Sequence, residues 1–152
     1  MLRLPYLDRV WRGMRGSVKW RLLWLREATF LVGVTGLIQD DDGRVLLLRH
    51  RFWPAGSWGM PSGYMKRGER LEDAVRRELR EETGLESEID RLLQVNSGFR
   101  LRVEAAFAGR VVGGELRLDP GEILEARWFA LDELPTGLLN GHRAIIDRHA
   151  HR

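Results

Sequence analysis

Three glutamates, Glu78, Glu81 and Glu82, stand three and four positions apart in a strongly charged segment. Because an α-helix turns once every 3.6 residues, this spacing places the three carboxylates on one face of a helix. Carboxylates this close repel one another, and a bound cation would relieve that repulsion. Hard oxygen ligands of this kind suit Mg²⁺, with Mn²⁺ as the alternative. The sequence therefore predicts a divalent metal site on this helix.

The segment that must position these carboxylates runs from Gly63 to Leu85. Its first part contains two glycines, which permit a tight loop with backbone open to a ligand. Gly84 is expected to end the helix in a left-handed conformation. Arg77 can pair with Glu69 and so hold the loop against the helix. The apolar stripe that would bury the helix consists of Leu71, Ala74, Val75 and Leu79.

The spacing of this segment follows a known pattern. It resembles the Nudix box, G-x5-E-x7-R-E-U-x-E-E-x-G-U with U aliphatic, at every fixed position. A match of this length by chance in so short a chain is negligible, and the strand–loop–helix context agrees with it. The matching positions are, in order, Gly63, Glu69, Arg77-Glu78-Leu79, Glu81-Glu82 and Gly84-Leu85.

The resemblance implies roles for the individual box residues. Glu81 and Glu82 would be the main metal ligands, and Glu78 would be a ligand, orient one, or serve as the general base. Glu69 would orient the others together with the arginine of the box. Ser62 would offer its backbone carbonyl to the metal. Many family members carry glycine at that position, so serine is a departure from the pattern.

The resemblance also implies an acid outside the box, in a later loop, that adds a metal ligand or the catalytic base. Glu122 is the first candidate and Glu125 the second, because both follow the Asp119-Pro120-Gly121 turn. Together with the box residues, the predicted catalytic set is Glu78, Glu81 and Glu122.

Basic and aromatic residues in two flanking segments are candidates for substrate binding. Arginine can pair with phosphate, and aromatic rings can stack on a base. The alternative for the aromatic rings is packing onto the core. His50 could act as a base, although a lone histidine is more often structural. The candidates are Arg49, Arg51, Trp53, Arg100 and Arg102.

The elements around the box are expected to alternate between strands and helices. Residues 28–39 and 44–50 would be two strands joined by an Asp-Gly hairpin, the first buried on both faces. Residues 87–95, 99–107 and 126–130 would be further strands. Residues 131–134 would begin a turn of helix, and residues 140–150 would form a terminal helix. The histidines at 142, 149 and 151 would lie on the surface.

Residues 1–26 form a separate N-terminal segment, which precedes a Nudix domain of residues 27–152. Seven basic residues, three tryptophans and a three/four apolar spacing predict an amphipathic helical arm there. The arm could pack on the domain or on a second copy in a homodimer. It could also lie on an anionic membrane surface or contact a phosphate backbone.

The chain of 152 residues is long enough for one domain with its own core. Its net charge of +3 is mild, and the lack of cysteine favours a reducing compartment, so a cytoplasmic location is expected. The resemblance implies an α/β fold, an α/β/α sandwich with a mixed sheet. It also implies a metal-dependent pyrophosphohydrolase acting on a small nucleoside-diphosphate compound, ADP-ribose-like, a nucleotide sugar or a nucleoside triphosphate. A nucleic acid is not expected as partner. A non-catalytic nucleotide-binding regulator and a membrane-associated hydrolase of lipid-linked diphosphates remain alternatives.

Overall fold

The computed structural model describes residues 16, 21, 29–97 and 101–150. The expected N-terminal arm and Arg100 therefore lie outside the described residues, apart from positions 16 and 21. No helix among the described residues is long and apolar enough to cross a bilayer. From residue 29 onward, the described elements are β1 (Leu31–Gln39), β2 (Val45–His50), β3 (Ser62–Tyr64), α1 (Leu71–Thr83), β4 (Leu85–Ser97), β5 (Arg102–Gly114), β6 (Ile123–Phe129) and α2 (Asn140–His149).

The described strands form one mixed sheet in the order β4-β5-β1-β2-β6, with β3 added beside β1. β1 runs parallel to β5, whereas the other neighbouring pairs are antiparallel. The predicted hairpin joins β1 to β2, with Gly43 at φ 75° and its amide donating to the Asp40 carbonyl. The Asp-Gly turn therefore fixes the register at Gln39 and Val45.

Both faces of the sheet are covered by helices, because the apolar residues of β1 and β2 alternate between them. Val34, Ile38, Leu46 and Leu48 face α1 through Ala74, Val75 and Leu79. Leu37, Val45 and Leu47 face α2 through Ile145 and Ile146. This confirms the α/β/α sandwich and explains why β1 reads as a nearly continuous apolar run.

The helix that carries the carboxylates forms as the sequence indicates. α1 follows Arg70 and ends at Gly84, which has φ 74° and donates its amide to the Arg80 carbonyl at 2.9 Å. Leu85 is then buried, as expected after a left-handed cap. At Gly36 in β1, a methyl group would lie 2.9 Å from Val75, so the helix packs directly against the strand backbone.

Several element boundaries differ from the sequence expectations. β1 begins at Leu31 instead of residue 28, and β6 begins at Ile123 instead of residue 126. The earlier start of β6 arises from backbone pairing with β2, which side-chain periodicity does not report. The expected turn of helix at residues 131–134 is wrong: the chain makes a turn in which the Glu133 amide donates to the Ala130 carbonyl.

Candidate active site

A cavity of about 620 Å³ lies between the N-terminal half of the box, the loop after β2 and the start of α2. Its wall contains three kinds of side chain that differ in chemistry. Carboxylates and cations occupy part of the wall, and aromatic rings occupy another part. The titratable and aromatic lining residues are Glu78, Glu104, Glu122, Lys66, Arg102, His50, Phe52, Trp53, Tyr64 and His142.

Arg77 is the centre of an ion-pair network on one side of α1. Its Nε and Nη2 donate to the two carboxylate oxygens of Glu69 at 2.7 and 3.0 Å. Its Nη1 donates to Glu78 at 2.7 Å and to Glu81 at 3.1 Å. Nη2 also donates to the Tyr64 carbonyl at 2.9 Å. The expected pairing with Glu69 is present, and it ties the glycine loop to the helix.

These contacts shift the pKa values of the residues involved. The hydrogen bonds from Arg77 lower the pKa of Glu69 to about 2, with help from the Lys66 amide. The same carboxylates raise the pKa of Arg77. Partial burial pushes the pKa of Glu81 upward, but hydrogen bonds from Lys66 and Arg77 outweigh it and lower that pKa. Glu69 and Glu81 thus lie beside cations that favour their charged form.

Glu82 has the opposite environment, although it stands next to Glu81 in the helix. Its side chain is only 2% exposed, and its Oε2 has no hydrogen-bond partner among the described residues. Burial raises its pKa well above the usual value, and the nearby charges of Glu78 and Glu122 raise it further, against the Ser62 amide. An orphaned buried carboxylate oxygen near two other carboxylates is the arrangement that a cation would complete.

The short strand β3 brings the backbone of the box against these carboxylates. Gly63 pairs with Val34 and Ser62 with Thr35, so the Ser62 backbone is held beside α1. A methyl group on Gly63 would displace the Glu78 carboxylate, so this carboxylate lies directly against the β3 backbone. Ser62, Glu78 and Glu82 consequently lie close together.

The described residues contain no group of three or more histidine, cysteine, aspartate or glutamate side chains already arranged as a metal site. The ion pairs explain this geometry, because Arg77 and Lys66 occupy oxygens of Glu78 and Glu81. Glu82 and the Ser62 backbone are not engaged by these cations. The donor set of carboxylate and carbonyl oxygens nevertheless fits a hard divalent ion.

Glu122 is far from the box residues along the chain, but it lies on the same cavity wall as Glu78. Its Oε2 is 3.5 Å from His50 Nε2, and its side chain is 50% exposed. The backbone holds it in place, because the Arg51 amide donates to the Glu122 carbonyl at 2.7 Å. Glu125, the second candidate, pairs with Arg49 and Arg127 at 3.2 and 2.7 Å, and it is not part of the wall.

The substrate-binding candidates separate into two groups. Trp53 and Arg102 line the cavity, and Arg102 stacks over the Tyr64 ring at 5.3 Å while pairing with Glu104. Arg49 instead lies over Trp58, and Arg51 donates to the Pro120 carbonyl at 3.1 Å. The binding roles of these residues stay predictions.

His142 was expected on the surface, and that expectation is wrong. It is half-buried, lines the cavity and accepts a hydrogen bond from the Met60 amide on Nδ1 at 2.9 Å. Its neighbour in the same helix, His149, is also partly buried. Sequence reasoning missed both because α2 is far from the box along the chain. The apolar pair Ile145-Ile146 gave the only signal, since it sets which helix face turns inward.

Comparison with known proteins agrees with this fold and site. The family model described as the NUDIX domain matches residues 29–149. The human 8-oxo-dGDP phosphatase NUDT18 is 32% identical over 117 residues, which cover 75% of this chain and 36% of the human protein. The ADP-ribose pyrophosphatase of Methanocaldococcus jannaschii is 36% identical over 121 residues, covering 76% of this chain and 70% of that protein.

Among solved structures, a MutT NUDIX hydrolase from Burkholderia pseudomallei has a TM-score of 0.69 and 34% identity, covering 77% of this chain and 95% of that one. The chain belongs to the Nudix hydrolase family. It spans only about a third of the human relative's length, 36%.

Proposed function

We propose that this protein is a metal-dependent pyrophosphohydrolase that cleaves the P–O–P bond of a nucleoside diphosphate linked to another group. The observation that carries the proposal is Glu82, a buried carboxylate with an orphaned oxygen beside a cavity that Glu78 and Glu122 share. Keeping that oxygen without a partner costs folding free energy. Binding a divalent cation would offset that cost.

Glu82, Glu78 and the Ser62 carbonyl would hold the cation, and Glu81 would join them if it left Lys66 and Arg77. Mg²⁺ is the proposed ion, with Mn²⁺ as a substitute. When bound, the cation offsets the charge of the diphosphate and polarises its P–O bonds. Lys66 lies on the same wall and supplies a further positive charge for the phosphates.

Glu122 is the proposed general base. A water molecule attacks one phosphorus, the bridging P–O bond breaks, and Glu122 accepts the proton that the water loses. His50 Nδ1 accepts the Phe52 amide at 3.2 Å, so the proton of the neutral ring is on Nε2, which lies 3.5 Å from Glu122 Oε2. We propose that this N–H helps to orient the carboxylate when the substrate is bound. Glu69 and Arg77 keep the loop in position.

The relatives support a nucleoside diphosphate as the common substrate unit. The human protein is named for 8-oxo-dGDP and the archaeal one for ADP-ribose. Their bases differ, and so do the groups attached to the diphosphate. The proposal for this chain is therefore a nucleoside diphosphate derivative, with a nucleoside triphosphate as the nearest alternative.

A panel of ADP-ribose, 8-oxo-dGDP, UDP-glucose, GDP-glucose and ATP tests the proposal. Hydrolysis with Mg²⁺ or Mn²⁺ is measured as phosphate release. For ADP-ribose and the nucleotide sugars, whose products are phosphate monoesters, a phosphomonoesterase is added to free the phosphate. We expect turnover of at least one compound, and a 10²- to 10³-fold lower kcat for Glu82→Gln, roughly the loss when one charge-stabilising group is removed.

The matched control is Glu86→Gln, which changes an exposed glutamate just beyond α1 and should leave kcat within about twofold. No turnover by the wild type with either ion would contradict the enzymatic proposal. Equal turnover by Glu82→Gln would contradict the role of Glu82 as a metal ligand.

A further inference from the structure

The hydrogen bond of His142 fixes where its ring proton sits. Nδ1 accepts the Met60 amide at 2.9 Å, so Nδ1 carries no proton and the proton of the neutral ring is on Nε2. A methyl group on Gly59 would lie 2.7 Å from Nδ1, which shows that this edge of the ring faces the backbone of residues 59–60. The opposite edge, with Nε2–H, points away from that backbone.

The ring of His142 also lines the cavity, and Nε2 has no hydrogen-bond partner within residues 29–97 and 101–150. Burial lowers the pKa of His142 to about 4, so the ring stays neutral at physiological pH. Because the proton of this neutral imidazole is on Nε2, that nitrogen can donate a hydrogen bond but cannot accept one. The cavity therefore contains a hydrogen-bond donor whose direction is set by the main chain.

The neighbours of His142 are flat apolar rings. Trp53 packs edge-on against it, with ring centroids 5.8 Å apart, and Trp53 in turn stacks on His50 at 5.3 Å. Phe52 is 73% exposed and lines the same cavity, so its ring is available for contact with a ligand. Exposed aromatic rings beside an oriented donor suit a planar heteroaromatic ligand, such as a nucleobase.

These contacts arrange the aromatic rings in a row that begins next to the acidic residue Glu122. Glu122 contacts His50, His50 contacts Trp53, and Trp53 contacts His142. A nucleoside diphosphate with its phosphates near Glu122 and Glu78 would have its base directed along this row of rings. His142 stands at the end of the row.

We propose that His142 selects the base of the substrate, by donating Nε2–H to a carbonyl oxygen on the edge of a base held against Phe52 and Trp53. The inference rests on the proposed function, because it takes the diphosphate to lie at the carboxylates. Bases with an edge carbonyl, such as guanine and uracil, are then favoured over adenine. The 6-amino group of adenine would present a donor to a donor and leave both without a partner.

Equilibrium binding of GDP and ADP, used with Mg²⁺ as their uncleavable α,β-methylene analogues, tests this selection. Both ligands carry the same diphosphate and ribose, and only the base differs. Quenching of tryptophan fluorescence or calorimetry gives the two Kd values. We expect the wild type to bind GDP about tenfold more tightly than ADP, the ratio that one hydrogen bond of ordinary strength gives.

Two variants separate the donor from the structural bond to Met60. His142→Gln keeps an N–H donor near the position of Nε2 but loses the acceptor for the Met60 amide. His142→Asn keeps that acceptor and loses the donor. We expect His142→Asn to abolish the preference for GDP, and His142→Gln to retain it with a lower Tm.

Three results would overturn the inference: equal binding of GDP and ADP by the wild type, a preserved preference in His142→Asn, or a preference lost in His142→Gln alone. The first needs no variant, so it decides even if both variants fold poorly. Hydrolysis of GDP-glucose and ADP-glucose is measured separately. A wild type that binds GDP selectively but hydrolyses neither sugar nucleotide nor any compound of the panel contradicts the proposed function and leaves the base selection standing.

Discussion

The two sides of α1 treat their carboxylates in opposite ways. On the Arg77 side, Glu69, Glu78 and Glu81 share one guanidinium that is itself only 13% exposed. On the side that faces the Ser62 backbone, Glu82 is more deeply buried, and one of its oxygens has no partner among the described residues. Glu81 and Glu82 are adjacent in sequence, yet the pKa of one is lowered and that of the other is raised.

The difference shows that one motif contains both a structural half and a reactive half. Forked hydrogen bonds from Arg77 stabilise the loop–helix junction and leave those oxygens occupied. Glu82 instead costs free energy, because one oxygen of this buried carboxylate has no partner among the described residues. A group such as Glu82, which lowers stability, is a candidate functional group for that reason.

The largest expected effect on stability comes from replacing Arg77, the cation shared by Glu69, Glu78 and Glu81. Arg77→Ala would leave Glu69 and Glu78 without their cation and free the glycine loop, so the free energy of unfolding should fall by about 3 kcal/mol. Chemical denaturation of the metal-free protein measures this.

Arg76→Ala is the matched control. Arg76 is the preceding residue, and its ion pair with Asp73 is exposed on both partners, so its loss should cost less than about 1 kcal/mol. If the two variants lost equal stability, Arg77 would be no more than another surface charge. The contrast between the two sides of α1 would then fail.

The opposite sign is expected for Glu82. Glu82→Gln removes a buried carboxyl group that is costly to ionise while keeping the shape of the side chain, so the metal-free protein should gain about 2 kcal/mol of unfolding free energy at neutral pH. Glu81→Gln, one residue earlier, should lose stability slightly because it gives up its pairs with Lys66 and Arg77.

Addition of a divalent ion provides a second comparison of the wild type with Glu82→Gln. Saturating Mg²⁺ should raise the Tm of the wild type, since a ligand that binds only the folded state stabilises it, and chelation should reverse the rise. Glu82→Gln should show little of this response. A Glu82→Gln protein that is less stable than the wild type without metal would refute the view that Glu82 is uncompensated.

The box could be predicted from the sequence because its features are local. The spacing of Glu78, Glu81 and Glu82, the apolar stripe and the glycine cap all follow from helix geometry, and the structure has each of them. The pairing of Arg77 with Glu69 was also expected, because eight residues of loop and helix bring them together.

The division between the two halves of the box could not be predicted. Which glutamate is buried depends on how α1 rotates against β1 and on how β3 brings Ser62 to the helix. His142 was missed for the same reason, whereas Trp53, close to the box in sequence, was a candidate. His142 reaches the cavity because α2 covers the other face of the sheet and the Met60 amide fixes its ring, and neither contact has a signature in the sequence.

The smallest expected effect is the pH dependence of stability, which again compares the two sides. Glu69 has a folded-state pKa of about 2, below its ordinary 4.5, so its stabilisation is present above pH 4.5 and is lost as the pH falls toward 2. His142 has a folded-state pKa of about 4, below its ordinary 6.5. Protonation of its ring favours the unfolded chain, so stability is lost earlier, as the pH falls from 6.5 toward 4.

Two variants test which residue causes the loss of stability in each pH range. His142→Asn should reduce the loss of unfolding free energy between pH 7 and pH 5 by about 1 kcal/mol, less than the full pKa shift would give because pH 5 lies above the folded-state pKa of about 4. Glu69→Gln should leave that window unchanged and reduce the loss below pH 4.5. Urea denaturation at pH 7, 5 and 3 measures both. If His142→Asn left the pH 7 to 5 loss intact, the ring would not be held neutral by burial, and its fixed donor would lose its physical basis.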